Sequence, residues 1–280
     1  MLKPSALMKS LLAMVTSLLL LAAAPIASAQ PIATAVGAGF NHACAVVAGG
    51  VQCWGSNASG QLGNGGTTQS LIPVQAVVVG SNATAVTGGS SHSCAVVNGA
   101  VQCWGANSNG QLGTNNTTQS LVPVQVTGLA SGVTAVSVGS AHSCAVVSGA
   151  AMCWGDNSSG QLGNGSTAVG LVPQQVAGLT SGVTSVATGN SHSCAAVNGG
   201  VQCWGLNSNG QLGNGVTTQS LVPVSAIGAV SGASAVTASQ QHSCAVVGGA
   251  AKCWGSNVFG QLGDNSTAQS LLPVAVFGLG

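Results

Sequence analysis

Short apolar runs alternate with polar, glycine-rich segments from residue 31 onward, and the pattern recurs every 50 residues without a shift in spacing. Short runs that are rich in Val and bounded by Gly, Asn and Ser are typical of β-strands. In the second period these runs are TAVTGG (84–89), SCAVV (93–97), AVQCWG (100–105) and LVPVQV (121–126). The pattern therefore predicts four short strands in each period.

The periods divide the chain into five repeats. A solenoid coil with one short strand per turn has a period of roughly half this length, whereas a four-stranded propeller blade needs about 40 to 50 residues. Repeats of such proteins stack on their neighbours and bury their apolar faces. The sequence therefore predicts an all-β fold, a β-propeller over residues 31–280 with about four short antiparallel strands in each repeat. The repeats are 31–80, 81–130, 131–180, 181–230 and 231–280.

The ring of blades can close in two ways. If each blade is built within one repeat, the first run, TAVGAG, and the last, LLPVAVF, belong to different blades. If the blades are offset from the repeats, these two runs pair as neighbouring strands. Offset closure leaves no exposed sheet edge, and we expect it for that reason.

A two-residue turn joins the second and third predicted strands of each repeat. In the second repeat it is Asn98-Gly99, a strong hairpin signal because both central residues of a type I′ turn need positive φ. If these two residues form the loop, Val97 faces Ala100 and, three pairs further along, Cys94 faces Cys103. Cα atoms at such a position lie about 4.5 Å apart, at the short end of the disulfide range.

The ten cysteines of the chain all occupy this pair of positions. Together with the export signal described below, their pairing predicts one disulfide-bonded hairpin in each repeat. Two alternatives remain: reduced buried thiols, and a metal ion held by His92, Cys94 and Cys103, although that spacing matches no common zinc pattern and lacks a fourth ligand. We expect no metal site and no cofactor. The predicted pairs are Cys44 with Cys53, Cys94 with Cys103, Cys144 with Cys153, Cys194 with Cys203, and Cys244 with Cys253.

One Trp and one His also recur in every repeat, and we interpret both as structural. The Trp follows the second Cys and points to the opposite strand face, where a large ring can fill the gap between neighbouring blades. The His lies two residues before the first Cys, where an imidazole can tie strand and loop together by hydrogen bonds. A catalytic group is needed once, so five copies favour a role in the scaffold. The residues are Trp54, Trp104, Trp154, Trp204 and Trp254, with His42, His92, His142, His192 and His242.

The first residues of the chain are typical of a secretory signal. Lys3 and Lys9 precede the apolar run LLAMVTSLLLLAAA, and ASA at residues 27–29 has the small-residue pattern of a signal-peptidase site. We expect a signal peptide over residues 1–29 and a secreted protein, either extracellular, periplasmic or at the cell surface. A membrane anchor is the alternative, but the run contains Thr16 and Ser17 and lacks a charged stop flank.

Charged residues make up 2% of the chain. After residue 29 the only charged side chains are Lys252, Asp156 and Asp264. Phosphate neutralisation needs clustered Lys or Arg, so we expect no nucleic-acid partner. The chain also lacks a basic face for anionic lipid, and no later stretch could span a bilayer. Partners are expected to be bound through neutral polar and apolar contacts.

The pattern GxxHxCAV, then VQCWGxNxxGQLG, then SLVPV resembles the repeat of the regulator of chromosome condensation family, in the Cys-rich form of exported bacterial proteins. The resemblance covers all five repeats. It implies a propeller of four-stranded blades in which Gly60, Gln61, Leu62 and Gly63, with their equivalents, form the blade loop. The best-known members look like seven-bladed rings, and this chain has five repeats. The founding activity, nucleotide exchange on a nuclear GTPase, implies charged contact residues that this sequence lacks, so that activity is not transferred.

We therefore expect a secreted or cell-surface binding module whose propeller face engages a protein or a glycan. A structural or adhesive repeat protein without a discrete ligand is the alternative. A secreted hydrolase fits less well, because glycosidases normally use paired carboxylates and Asp156 and Asp264 lie in non-consecutive repeats. No GxSxG elbow supports a serine hydrolase either. We predict no catalytic residues, and hence that the protein is not an enzyme.

The differences between repeats indicate where a ligand could bind. In the loop WGxNxxGQLG the variable positions are small or polar in the first three repeats, whereas the last two carry Leu206, Val258 and Phe259. Equivalent loops of successive blades lie on the same side of a propeller, so these three side chains form a candidate binding patch. The alternative is that Phe259 only covers the last blade.

Overall fold

The computed structural model describes residues 32–77 and 79–279, and every regular element in these ranges is a β-strand. The strands form five four-stranded antiparallel sheets, named blades 1 to 5 in chain order. The prediction of an all-β fold with four strands per repeat is therefore confirmed. The predicted signal peptide lies outside the described residues.

The twenty strands are six residues long and recur at the same positions of each repeat. Blade 1 contains β1 (Ala33–Ala38), β2 (His42–Val47), β3 (Gly50–Gly55) and β4 (Ser70–Gln75). Blade 2 contains β5 (Ala83–Gly88), β6 (His92–Val97), β7 (Ala100–Gly105) and β8 (Ser120–Gln125). Blade 3 contains β9 (Val133–Val138), β10 (His142–Val147), β11 (Ala150–Gly155) and β12 (Gly170–Gln175). Blade 4 contains β13 (Val183–Thr188), β14 (His192–Val197), β15 (Gly200–Gly205) and β16 (Ser220–Ser225). Blade 5 contains β17 (Ala233–Ala238), β18 (His242–Val247), β19 (Ala250–Gly255) and β20 (Ser270–Ala275).

Each blade takes its four strands from one repeat, in chain order. The expectation of offset closure is therefore wrong: β1 pairs with β2, and β20 pairs with β19. The physical reason is local. Every repeat already supplies four strands joined by short connections, and pairing neighbours along the chain closes much shorter loops than pairing its two ends.

The central hairpin of each blade has the predicted turn and register. Asn98 and Gly99 have φ values of 52° and 75°, as a type I′ turn requires. Val97 pairs with Ala100, and Cys94 pairs with Cys103. The other four blades show the same positive φ values and the same pairing of their cysteines.

A disulfide joins the two cysteines of every blade, which confirms one disulfide-bonded hairpin per repeat. The paired Cα atoms lie 4.0 to 4.1 Å apart, slightly closer than the distance expected from the register. Five disulfides fit an oxidising compartment such as the extracellular space.

The hydrophobic core is divided into four clusters, one between each pair of successive blades. Each blade presents a trailing face, which carries its disulfide, to the leading face of the next blade, which carries the buried Trp. Between blades 1 and 2, for example, the Cys44–Cys53 disulfide and Leu62 pack against Val86 and Trp104. The other three clusters repeat this arrangement. The prediction that Trp fills the gap between blades is thus confirmed for Trp104, Trp154, Trp204 and Trp254.

Candidate functional site

Three hydrogen bonds recur at every contact between successive blades. At the first contact, His42 Nε2 lies 2.7 Å from Ser93 Oγ of the next blade, and Ser93 Oγ donates to the Gln61 carbonyl oxygen of the preceding blade at 2.8 Å. Trp104 Nε1 donates to the same carbonyl oxygen at 2.8 Å. The other three contacts contain the equivalent bonds. The His of each internal contact thus joins two blades by a hydrogen bond.

These bonds indicate the tautomer of the four histidines at the internal contacts. Because Ser93 Oγ gives its proton to Gln61, it accepts one from His42 Nε2, which leaves Nδ1 as the unprotonated nitrogen. Burial lowers the pKa of His42 and His142 to about 4, and burial followed by repulsion from neighbouring imidazoles lowers that of His92 and His192 to about 3. The four imidazoles are therefore neutral near pH 7.

Two glycines of each blade loop form a seat for the next blade. A Cβ atom on Gly60 would overlap the side chain of Leu121, and one on Gly63 would overlap the ring of Trp104. Both glycines have positive φ and belong to the GQLG loop. The equivalent glycines of blades 2, 3 and 4 receive Leu171 with Trp154, Leu221 with Trp204, and Leu271 with Trp254.

The first and fifth blades do not pack against each other as successive blades do. Leu71, the blade 1 equivalent of the seated leucines, is 90% exposed, and Trp54 is half-buried whereas the other four Trp are fully buried. On blade 5, Gly260 and Gly263 are contacted by no Leu or Trp among the described residues. The described part of the chain is therefore an open ring with two uncovered end faces.

The seat of blade 5 is an open depression of about 740 Å³. We call it the end depression. Its glycines correspond to those that receive Leu and Trp at the four internal contacts. The volume thus lies where a sixth blade would place these two side chains. The lining residues are Gly260, Gly263, Asn265, Ser266, Thr267 and Phe277.

A second concave site lies where all five blades meet around the axis. This axial depression has a volume of about 530 Å³ and is lined by the turns between the first and second strands of each blade. No lining residue carries an ionisable side chain. Sequence reasoning missed this site, although its signal was visible: one turn position carries a different residue in most repeats, namely Phe40, Ser90, Ser140, Asn190 and Gln240.

The axial depression and the WGxNxxGQLG loops lie on the same side of the propeller, called here the loop side. Ser56 N donates to Asn41 O at 2.8 Å, so each loop begins beside an axial turn. Leu206 N makes the equivalent bond to Ser191 O at 2.9 Å, and the Leu206 side chain is half-buried. Leu206 therefore lies near the axial depression.

The other two residues of the predicted patch lie further along their loop. Val258 and Phe259 are 65% and 91% exposed, and Phe259 directly precedes Gly260 of the end depression. The structure thus places Leu206 and Phe259 at different parts of equivalent loops on neighbouring blades. A patch that joins Leu206, Val258 and Phe259 remains a prediction.

Both aspartates hold loops in place. Asp156 accepts hydrogen bonds from Gln161 Nε2 at 2.6 Å and from Ser158 Oγ at 3.1 Å. Asp264 accepts from Ser266 and from Asn257 Nδ2, and these bonds, that of Ser266 foremost, lower the pKa of Asp264. A general acid needs a raised pKa, so Asp264 is poorly suited to that role.

The cysteines cannot complete the alternative metal site with His92, because both thiolates of that site are consumed in a disulfide. Within residues 32–77 and 79–279, no group of three His, Cys, Asp or Glu side chains is placed to hold a metal ion. No helix in the same ranges is long and apolar enough to cross a membrane.

Residues 48–96, 98–146, 148–196 and 198–246 match the family described as regulator of chromosome condensation (RCC1) repeat. A second model of the same repeat family matches residues 33–61, 133–161 and 183–211. Each unit of the first set begins in the hairpin turn of one blade and ends in the second strand of the next, so it spans the connection between two blades. No curated protein matches the chain by sequence.

Solved structures with the same fold include a human protein and a yeast protein. Human WBSCR16 is 22% identical with a TM-score of 0.76, over 88% of this chain and 67% of that protein. Yeast RCC1 (Prp20), solved with Kap60, is 22% identical with a TM-score of 0.73, over 84% of this chain and 59% of that one. A separate structure of Prp20p from Saccharomyces cerevisiae is described with its binding to Gsp1p and histones. It is 21% identical to this chain with a TM-score of 0.71, over 84% of this chain and 61% of that one. The chain spans about three fifths of the length of the yeast protein.

Proposed function

This chain belongs to the regulator of chromosome condensation (RCC1) repeat family, and from that premise we propose that it is a secreted or cell-surface binding module that uses the loop side of its propeller. The yeast relative is described with protein partners, Gsp1p, histones and Kap60, which supports a role in binding. Those partners are not transferred, because the present chain has almost no charged side chains with which to bind them.

The observation that carries the proposal is the axial depression. The scaffold residues are nearly identical in all five repeats, whereas one variable turn position of each repeat lines the same concave site. A concave site with a few converging polar groups is the usual form of a ligand site. Here Asn190 and Gln240 offer amides, Ser90 and Ser140 offer hydroxyls, and the ring of Phe40 is 66% exposed.

The lining defines the chemistry of the ligand. Neutral amides and hydroxyls can bind peptide groups or sugar hydroxyls, and an exposed aromatic ring can pack on an apolar sugar or side-chain face. No cation is available to bind a phosphate or carboxylate. The proposed ligand is therefore a neutral part of a protein or a glycan, and a nucleic acid is excluded from the proposal for the same reason.

A hydrolase is not proposed. The carboxylates of Asp156 and Asp264 are occupied by loop residues, and the histidines of the four internal contacts are neutral and engaged between blades. These arrangements support the interpretation that the protein is not an enzyme.

The test compares ligand capture by matched variants of the chain from Gln30 onward, presented with secreted proteins and with neutral oligosaccharides. A triple variant of Phe40, Asn190 and Gln240, each changed to Ala, should weaken capture by roughly tenfold to a hundredfold, because residues at a binding centre contribute about 1 to 3 kcal/mol. The control changes three exposed serines of the opposite side to Ala, namely Ser131, Ser181 and Ser231.

Equal capture by the triple variant and the unchanged chain would contradict the axial site. Phe259→Ser tests the predicted patch in the same assay. Weaker capture with an unchanged melting temperature places the patch in the binding surface, whereas a lower melting temperature with unchanged capture assigns Phe259 a structural role.

A further inference from the structure

The two uncovered end faces of the open ring are complementary halves of a contact that the chain makes four times. The leading face of blade 1 carries Trp54 and Leu71, equivalent to the side chains that enter a seat at each internal contact. The trailing face of blade 5 carries the seat itself, with Gly260 and Gly263 at the end depression.

The hydrogen-bonding groups of the two faces are complementary as well. At each internal contact a Trp Nε1 donates to the Gln carbonyl oxygen of the GQLG loop. Trp54 can donate in this way to Gln261, which receives no Trp or Ser from another blade among the described residues. The two bonds of the set that involve Ser are missing, because blade 1 has Ala43 where the other blades have Ser. His242 is half-buried, so it can bond to water instead.

The apolar surfaces near these groups are uncovered too. On blade 5, Val246 and the half-buried Cys244 line a groove of about 150 Å³, together with Val236 and Ala251. The equivalent groups of blade 1 are Val46 and Cys44, which are fully buried beneath blade 2. Apolar surface left in water at both ends favours association.

We propose that the end depression of one copy binds the leading face of blade 1 of a second copy, so that the chain self-associates head to tail. The occupant is a second copy because no other surface among the described residues presents the Trp and Leu that fit this seat. The chain's own blade 1 does not pack against blade 5, so it leaves the seat open to a second copy.

Charge does not oppose the association. Beyond residue 29 each copy carries one Lys and two Asp, so repulsion between copies is weak. A pair of copies joined head to tail still has one unoccupied leading face and one unoccupied end depression, so further copies can add. The assembly then either closes into a ring of copies or continues as a helical array. The proposal concerns the ends of the ring and is independent of the ligand site on the loop side.

The experiment measures self-association of the chain from Gln30 onward by sedimentation velocity across a wide range of protein concentration. We expect species larger than one chain whose proportion rises with concentration. Leu71→Asp blocks the leading face and Phe277→Asp blocks the end depression, and both residues are largely exposed, so the fold should persist. Each variant should weaken self-association by roughly tenfold or more.

The control is Val169→Asp, which adds the same charge at a half-exposed apolar residue whose equivalents in the other four repeats are all Gln. It should associate like the unchanged chain.

An equimolar mixture of the two blocked variants gives the decisive result. Each retains one intact face, so the mixture should form a dimer that contains one copy of each and grows no further. A chain that stays monomeric at all concentrations overturns the proposal, and so does association that persists in both blocked variants, or a mixture that forms no mixed dimer.

Discussion

The contacts between successive blades and the two end faces are built from equivalent residues, but these residues differ in burial and in hydrogen bonding. Trp154 is fully buried and bonded to Gln111, whereas Trp54 is half-buried on an end face. His142 is buried against Ser193, whereas His242 is half-buried with no seryl hydroxyl from a following blade. The comparison shows that a repeat acquires its stability from its neighbours, so a residue's importance depends on which blade carries it.

The largest expected effect is a loss of stability at low pH, caused by the histidines buried at the internal contacts. In an unfolded chain His has a pKa near 6.5, whereas in the folded protein it lies at about 3 to 4 for His42, His92, His142 and His192. Between these values the unfolded state binds more protons, so the free energy of unfolding falls as pH falls from 6.5 towards 4. Each such His contributes roughly 1.4 kcal/mol per pH unit in that window.

Denaturant titrations at several pH values measure this slope. His142→Gln keeps a donor for Ser193 and should reduce the slope by about one quarter, on the same linkage argument. His242→Gln should change it less, because that His is half-buried. A free energy of unfolding that stays constant from pH 6.5 to 4.5 would contradict the assignment of neutral buried histidines.

The next difference concerns the aromatic residues. Trp154→Ala leaves a cavity between blades 2 and 3 and should cost about 3 to 5 kcal/mol. Trp54→Ala removes a half-buried ring from an end face and should cost about 1 kcal/mol when measured at low protein concentration. Chemical denaturation of both variants provides the values. Similar costs would mean that the leading face of blade 1 is covered in solution.

The smallest difference concerns the disulfides. Cys44–Cys53 is fully covered by blade 2, whereas Cys244 is half-buried and lines the open groove of blade 5. A mild reductant without denaturant should therefore reduce Cys244–Cys253 first, on the order of tenfold faster than the other four, since they need a local opening to be reached. Alkylation followed by peptide mass mapping identifies the order. Equal rates for all five pairs would show that the trailing face of blade 5 is as well protected as the internal contacts.

Much of the fold was predictable because it is specified locally. The turn Asn98-Gly99 determines the hairpin register, and that register places Cys94 opposite Cys103. The same alternation directs the Trp away from the cysteines of its own blade and into the contact with the preceding blade. These features depend on residues within one hairpin, so a short stretch of sequence contains the necessary information.

The features that were missed depend on how blades meet. The angle between blades depends on how many side chains pack together at each contact. Neither the open ring nor the axial depression could therefore be derived from the pattern of apolar and polar residues. One signal of the open end was nevertheless present. Four repeats have Ser before the first Cys, and its hydroxyl is used only by the blade that precedes it; the first repeat has Ala43. The candidate patch of Leu206, Val258 and Phe259 rests on loop composition alone and stays a prediction.

The coincidence of each blade with one 50-residue repeat has a consequence for how such genes change length. A duplication or deletion of one repeat adds or removes a whole sheet together with its disulfide, and no strand is left without its partner. The new blade meets its neighbour through the same glycines, Trp and Leu as all the others. Had a strand been shared between the two ends of the chain, every change in repeat number would have had to preserve a closed ring. Blade number is therefore free to vary by whole units, and each extra repeat brings one more interface between blades.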